Sequence, residues 1–214
     1  MKEFKHVILT RYNWDNATQD FYETHPNPKE WMKERYELFK ATRESVLSQG
    51  VDFDWIIAFD KNTPPSYIKK VCSAPNMFPV FNDVRELVFD YPEPFIITTR
   101  LDNDDIYLSG ALQSIQDAFK PLTMVIDIDY YQFDLESGKM YTSERPGANS
   151  PFLSLVEQSK YVKTCYCRPH SKLPSGYPAK DGLREVHSVK INKPLALMVI
   201  HGNNVANKII GREI

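Results

Sequence analysis

Cysteine is scarce in this chain of 214 residues, with three in all: Cys72, Cys165 and Cys167. An odd count without framework spacing excludes a disulfide scaffold and points to a reducing, cytoplasmic setting. A zinc site around Cys165, Cys167 and His170 would need about four ligands, and the spacing supplies no fourth. Long apolar runs are missing too. None approaches the ~18 residues of a membrane span, and the apolar part of "MKEFKHVILTRYN" is too short for the ~7-residue core of a signal peptide, so it reads as a first strand. Neither sign of charge dominates, since the formal net charge is −2. With basic residues scattered rather than striped, no nucleic-acid partner is expected. The eight glycines form neither a GxxxxGK[ST] loop nor a GxGxxG turn after the first strand. HExxH and GxSxG are also absent, which removes the commonest nucleotide-hydrolase, dinucleotide, metalloprotease and serine-hydrolase signatures.

What is present suffices for a filled core: 42% hydrophobic and 13% aromatic residues. "KHVILTRYN" reads as a buried strand. "PKEWMKERYELFKATRESVLSQG" carries an apolar 3.6-residue period between Pro28 and Gly50 and is the clearest helix. A strand over Trp55–Phe59 follows, then a short helix in "PSYIKKVCSA" opened by Pro65 and a weak strand in "MFPVFND". "PFIITTRLDNDD" is a strand running into acid, and "IYLSGALQSIQDAF" an amphipathic helix. This alternation predicts an α/β domain with a mostly parallel central sheet flanked by helices. Beyond it, "TMVIDIDYYQFDLESGKMYTSE" reads as a hairpin turning at "ESGK". "SPFLSLVEQS" reads as one or two helical turns, "VKTCYCRPHSKL" as a strand and "KLPSGYPAKDG" as a loop. "LALMVIHGNNVANKI" is a closing strand, so the second half is a C-terminal hairpin and strand region. No repeat or linker divides residues 1–214, and one domain is expected.

The chemistry gathers at "RLDNDD". Asp102 and Asp104 flank one residue on a tight turn after a strand, and ligands of open α/β sheets bind outside the carboxyl ends of strands. Two such carboxylates suit one hard cation, Mg²⁺ or Mn²⁺, that keeps positions open for phosphate oxygens. Asp105 fits as a first-turn residue of the following helix. The plainer reading is that all three acids only cap and solvate that helix start. His201, ending another apolar run before Gly202, is placed to complete a metal site or to contact a phosphate. Arg11 and Arg100 fall at strand ends, where guanidinium forks suit phosphate oxygens. These residues outline a diphosphate-and-metal site.

The blocks "HVILTRYN", "WIIAFDKNTP", "ITTRLDNDD", "NSPFLSLVE", "TCYCRPHSKL" and "VIHGNNVANKI", in that order, resemble a rhamnosyltransferase family of bacterial and viral glycosyltransferases of the GT-A type. The resemblance runs from about His6 to Arg212. It implies a GT-A-like nucleotide-diphospho-sugar transferase fold that uses a divalent metal, Mn²⁺ or Mg²⁺. The substrates implied are a nucleotide-diphosphate sugar donor, with rhamnose suggested, and a glycan or glycoprotein acceptor. Asp102 and Asp104 match the family's DXD metal motif and His201 its C-terminal histidine. Thr10, Arg11, Asp60 and Arg100 match positions flanking the nucleotide. Glu157 matches a block where an acceptor-side base could lie, and Asp127 and Asp129, which depart from the pattern, are alternative carboxylates for that role. Two other readings remain open. A sugar-nucleotide nucleotidyltransferase or pyrophosphatase needs the same metal and diphosphate site. A non-catalytic glycan-binding module would stack sugars on Tyr130, Tyr131, Tyr141 or Tyr177.

Overall fold

The computed structural model describes residues 2–14, 20–143, 150–179, 182–202 and 208–214. In chain order the elements are β1 (Phe4–Arg11), α1 (Phe21–Thr24), α2 (Pro28–Leu47), β2 (Asp54–Ala58), α3 (Pro65–Val71), β3 (Met77–Val80), β4 (Phe95–Arg100), β5 (Ile106–Tyr107) and α4 (Ala111–Asp117). Then follow β6 (Met124–Asp134), β7 (Lys139–Thr142), β8 (Ser154–Gln158), β9 (Tyr177–Ala179), β10 (Gly182–Arg184) and β11 (His187–Ile200). The main sheet runs β3-β2-β1-β4-β8-β6-β11-β5, with β7 added beside β6. Its first four strands are parallel. The other half is mixed: β8 lies antiparallel between β4 and β6, β6 and β11 are parallel, and β5 and β7 run against their neighbours.

The sheet separates two apolar clusters. Ile8, Trp55 and Ile97 turn toward Met32, Tyr36 and Phe39 of α2, Val71 of α3 and Ile115 of α4. Val7, Leu9, Ile56 and Ile96 turn the other way, onto Val84, Cys165, Tyr166 and Leu173 from irregular chain. Strands covered on both faces read as continuous apolar runs, and β1 and β4 are buried throughout their centres.

Three segments depart from the sequence reading for visible reasons. "SPFLSLVEQS" contains a strand, β8, instead of helical turns: Leu155 joins one cluster and Val156 the other, and a short apolar run has no period to distinguish the two forms. "VKTCYCRPHSKL" is not a strand. Thr164 adopts φ 67°, left-handed backbone that interrupts any ladder, and the chain continues as turns and single 3₁₀ turns. The closing strand starts at His187, well before Leu195, because Pro194 is absorbed at a register shift against β6, where a missing N–H costs no ladder bond. Ile106 and Tyr107, expected in a helix, pair with β11, and α4 begins only after Gly110 at φ 80°.

Candidate functional site

The turn after β4 opens Asp102 and Asp104 to different sides. Between them Asn103 is buried: its Nδ2 donates to the Tyr12 carbonyl and its Oδ1 accepts from Arg35 Nη1 at 3.1 Å. With the middle residue pinned to the end of β1, its neighbours diverge. Asp104 points toward α2, where its Oδ2 accepts from Arg35 Nη1 at 2.5 Å and lies 2.9 Å from His201 Nε2. These three side chains are 8–11% exposed. Arg35 is held over the Trp31 ring at 4.9 Å. Asp104 and His201 therefore meet although 97 positions separate them.

Asp102 instead accepts from Arg100 Nη2 at 3.0 Å. Burial opposes its ionisation, but the Arg100 guanidinium, with help from Arg11, holds its carboxyl below the usual aspartate range. Asp105 does not cap a helix. It is 3% exposed and accepts from the Val199 amide at 3.0 Å, which ties the acidic turn to β11. Burial first, then its neighbours Asp104 and Asp102, push its carboxyl well up.

The expected metal ligands thus come together in part. Asp104 and His201 stand side by side, their facing atoms 2.9 Å apart, one carboxylate and one imidazole of types compatible with Mn²⁺ or Mg²⁺, which need only one or two protein carboxylates beside phosphate and water. Asp102 faces away. Among the described residues no three His, Cys, Asp or Glu side chains stand together to hold an ion, and this includes Cys165, Cys167 and His170.

On the face opposite α2, Arg11 and Arg100 lie over the Tyr166 ring at 4.9 and 5.1 Å. With Arg85 and Arg168 they line a cavity of about 280 Å³ at the carboxyl ends of β1 and β4. Arg85 is paired with Asp83. Arg168 Nη1 donates to the Gly176 carbonyl at 2.6 Å. Four arginines thus line one space, a composition suited to an anion.

Other expected residues are occupied elsewhere. Thr10 is fully buried and its hydroxyl accepts from Trp55 Nε1 at 2.9 Å. Asp60, 1% exposed, accepts from the amides of Phe21 at 2.8 Å and Asn62 at 2.7 Å; it ties the start of α1 to the turn after β2. Glu157 lies inside the sheet at 1% exposure and accepts from the Lys163 amide at 2.9 Å, the Thr164 amide at 3.0 Å and the Tyr177 hydroxyl at 2.7 Å. Desolvation raises its pKa. It anchors the segment that carries Tyr166 and Arg168, and both of its oxygens are engaged in doing so. Asp129 is paired with Lys190 at 2.8 Å. Asp127 is 3% exposed, accepts from the Ser150 amide at 3.1 Å and has its carboxyl pushed up by burial. Of the tyrosines proposed to stack on sugars, Tyr130 packs against Phe152 and Tyr177 serves Glu157.

Arg35, Arg85, Tyr166 and Arg168 escaped the sequence reading. Arg35 had a signal: it sits between Met32 and Phe39 on the buried face of α2, where a cation must have a buried partner. The others stand on irregular chain, where no period marks what faces a cavity. No protein family and no curated protein matches this sequence. Among solved structures, TarS residues 1–349 from S. aureus is similar with TM-score 0.49 and 9% identity, covering 91% of this chain and 60% of that one. A nucleotide-diphospho-sugar transferase from Desulfovibrio desulfuricans G20 is similar with TM-score 0.44 and 12% identity, covering 89% of this chain and 80% of that one. This chain thus spans about 60% of the TarS chain's length.

Proposed function

We propose that the chain is a glycosyltransferase of the GT-A type, which binds a nucleotide-diphosphate sugar at the carboxyl edge of β1 and β4 and passes the sugar, rhamnose by the family resemblance, to a glycan hydroxyl. The observation that carries this reading is the meeting of Asp104 and His201 at that edge, with Arg35 holding the carboxylate. Asp104 and His201 would hold Mn²⁺ or Mg²⁺. Such an ion, when bound, neutralises charge that develops on the departing diphosphate. Arg35 orients Asp104 by a buried ion pair, and Asn103 fixes the turn so that the carboxylate is preset. Arg100 stays paired with Asp102 and steadies the acidic turn from the other face. For the proton of the acceptor hydroxyl, Asp127 is the carboxylate left among those expected, since Asp129 is paired with Lys190 and Glu157 is committed to backbone.

The test is a thermal-shift screen of UDP, GDP, dTDP and CDP, each with and without Mn²⁺. A ligand that binds only the folded state raises the midpoint by mass action. One diphosphate is expected to give a shift that needs the metal and disappears in Asp104→Asn and His201→Ala. No shift with any of the four, or an equal shift in both variants, would reject the reading.

A further inference from the structure

The arginine-lined cavity holds more positive charge than a metal-bound donor can use. Direct ion pairs occupy two of its four guanidinium groups, Arg85 through Asp83 and Arg100 through Asp102. Arg11 has an aromatic ring as its contact and Arg168 a backbone carbonyl, so among the described residues two cations face the cavity without a carboxylate. The cavity also lies apart from the Asp104 and His201 pair. Tyr12 and Leu101 pack toward α2, so the alternation of the strand ends turns Arg11 and Arg100 to the other face, onto Tyr166. A divalent ion on Asp104 and His201 would itself balance a donor diphosphate. The surplus therefore calls for a second anion.

We propose that this cavity is a subsite for a phosphate dianion carried by the acceptor, with Arg168 as its specificity residue. The assignment rests on the transferase reading, which places the donor's diphosphate at Asp104 and His201. A phosphate monoester carries about −1.5 to −2 at neutral pH, which matches the excess of four guanidinium groups over the two carboxylates paired with them, Asp83 and Asp102; a carboxylate would leave half of that excess unmatched. Arg168 is delivered by the segment that Glu157 anchors, and its position depends on Gly176 having no side chain: a Cβ there would stand 1.7 Å from Arg168 Nη1.

Calorimetry with inorganic phosphate at low salt tests this, run with and without a saturating nucleoside diphosphate and Mg²⁺. Phosphate is expected to bind equally in both conditions. Arg168→Gln should weaken it about tenfold, the loss of one charge-assisted bond, and Arg85→Gln, whose guanidinium is already paired with Asp83, by less. Gly176→Ala, which keeps every charge, should weaken it comparably by displacing Arg168, with nucleotide affinity unchanged in all three variants. Melting curves establish that the variants are folded. Displacement of phosphate by the nucleotide would overturn the proposal, since the cavity would then be the donor's. So would phosphate binding indifferent to the three substitutions, or acetate binding as tightly as phosphate. If no nucleotide binds at all, the transferase reading fails on its own, and the assignment to an acceptor falls with it whatever phosphate does.

Discussion

Replacing Glu157 by alanine separates an anchor from a catalytic base. The carboxylate sits within the sheet at 1% exposure and is the acceptor for two consecutive backbone amides and one hydroxyl, all between 2.7 and 3.0 Å. One of those amides belongs to Thr164, held at φ 67°, a conformation that a β-branched residue adopts only when its surroundings impose it. Glu157→Ala leaves three donors without a partner. Each costs about 1–3 kcal/mol when buried, and partial access of water to Tyr177 offsets some of this. A net loss of about 3–5 kcal/mol is expected, a large part of the ~5–15 kcal/mol that holds a domain together. Glu157→Gln keeps the shape and one acceptor oxygen but turns an NH₂ toward an N–H, for about 1–2 kcal/mol. Urea unfolding followed by tryptophan fluorescence reads both, with the slope unchanged if the denatured states are alike. A cycle with Tyr177→Phe should show coupling of about 1.5–3 kcal/mol, the range for a bond to a charged group. The reasoning fails if Glu157→Ala unfolds at the wild-type urea concentration while sugar transfer is abolished, because Glu157 would then act on the substrate and not on the chain.

The parallel half of the sheet was legible because its signals are local. β1, β2, β4 and α2 announce themselves by apolar runs or a 3.6-residue period, and the parallel order follows from alternation. The acidic turn after β4 was legible for the same reason, being one contiguous stretch. What could not be read is where three adjacent side chains point. Asp102, Asn103 and Asp104 look like a pair of carboxylates around a spacer, yet Asn103 is bound to the Tyr12 carbonyl and to Arg35, and this long-range pinning sends the two acids to opposite sides. Glu157 shows the same limit from the other direction. In sequence it is a carboxylate after an apolar run, free to be a base, and only the return of residues 163–177 over the sheet fills its oxygens. Asp60 and Thr10 are likewise polar at strand ends, and both are consumed by backbone or tryptophan. A polar residue at a strand's end signals a site or a loop anchor, and the choice lies with chain distant in sequence.

Further outcomes follow from buried charge. Arg35→Met should cost up to about 3–5 kcal/mol, since it removes the guanidinium from the buried Asp104 carboxylate and leaves His201 as its remaining contact; the double variant with Asp104→Asn should recover most of that loss in the same urea measurement, and no recovery would refute the pairing. The thiols of the half-buried Cys72 and Cys167 are pushed up to about 12 by desolvation, and that of the buried Cys165 higher, so all three should react slowly with a disulfide reagent at pH 8, Cys165 slowest of all until urea unfolds the chain; rapid labelling of Cys165 in the folded protein would contradict its burial. Asp127 offers one titration with two consequences of opposite sign. Burial raises its carboxyl above the ordinary aspartate value, about 3.9 in the unfolded chain, so the folded state holds the proton more tightly. Its contribution to stability is complete below about pH 3.9 and is lost as pH rises through the folded pKa. Asp127→Asn keeps an oxygen for the Ser150 amide and has no proton to lose. The urea midpoint of the wild type should therefore fall relative to that of Asp127→Asn as pH rises from 4, and level off once the folded carboxyl is ionised. If Asp127 is the base, transfer by the wild type should rise over the same interval, because deprotonation that weakens the fold creates the group that accepts the hydroxyl proton. A difference curve that is flat, or that climbs with pH, would show that Asp127 ionises without cost. A rate that rises at a pH where the stability difference has already levelled would assign the base to another carboxylate.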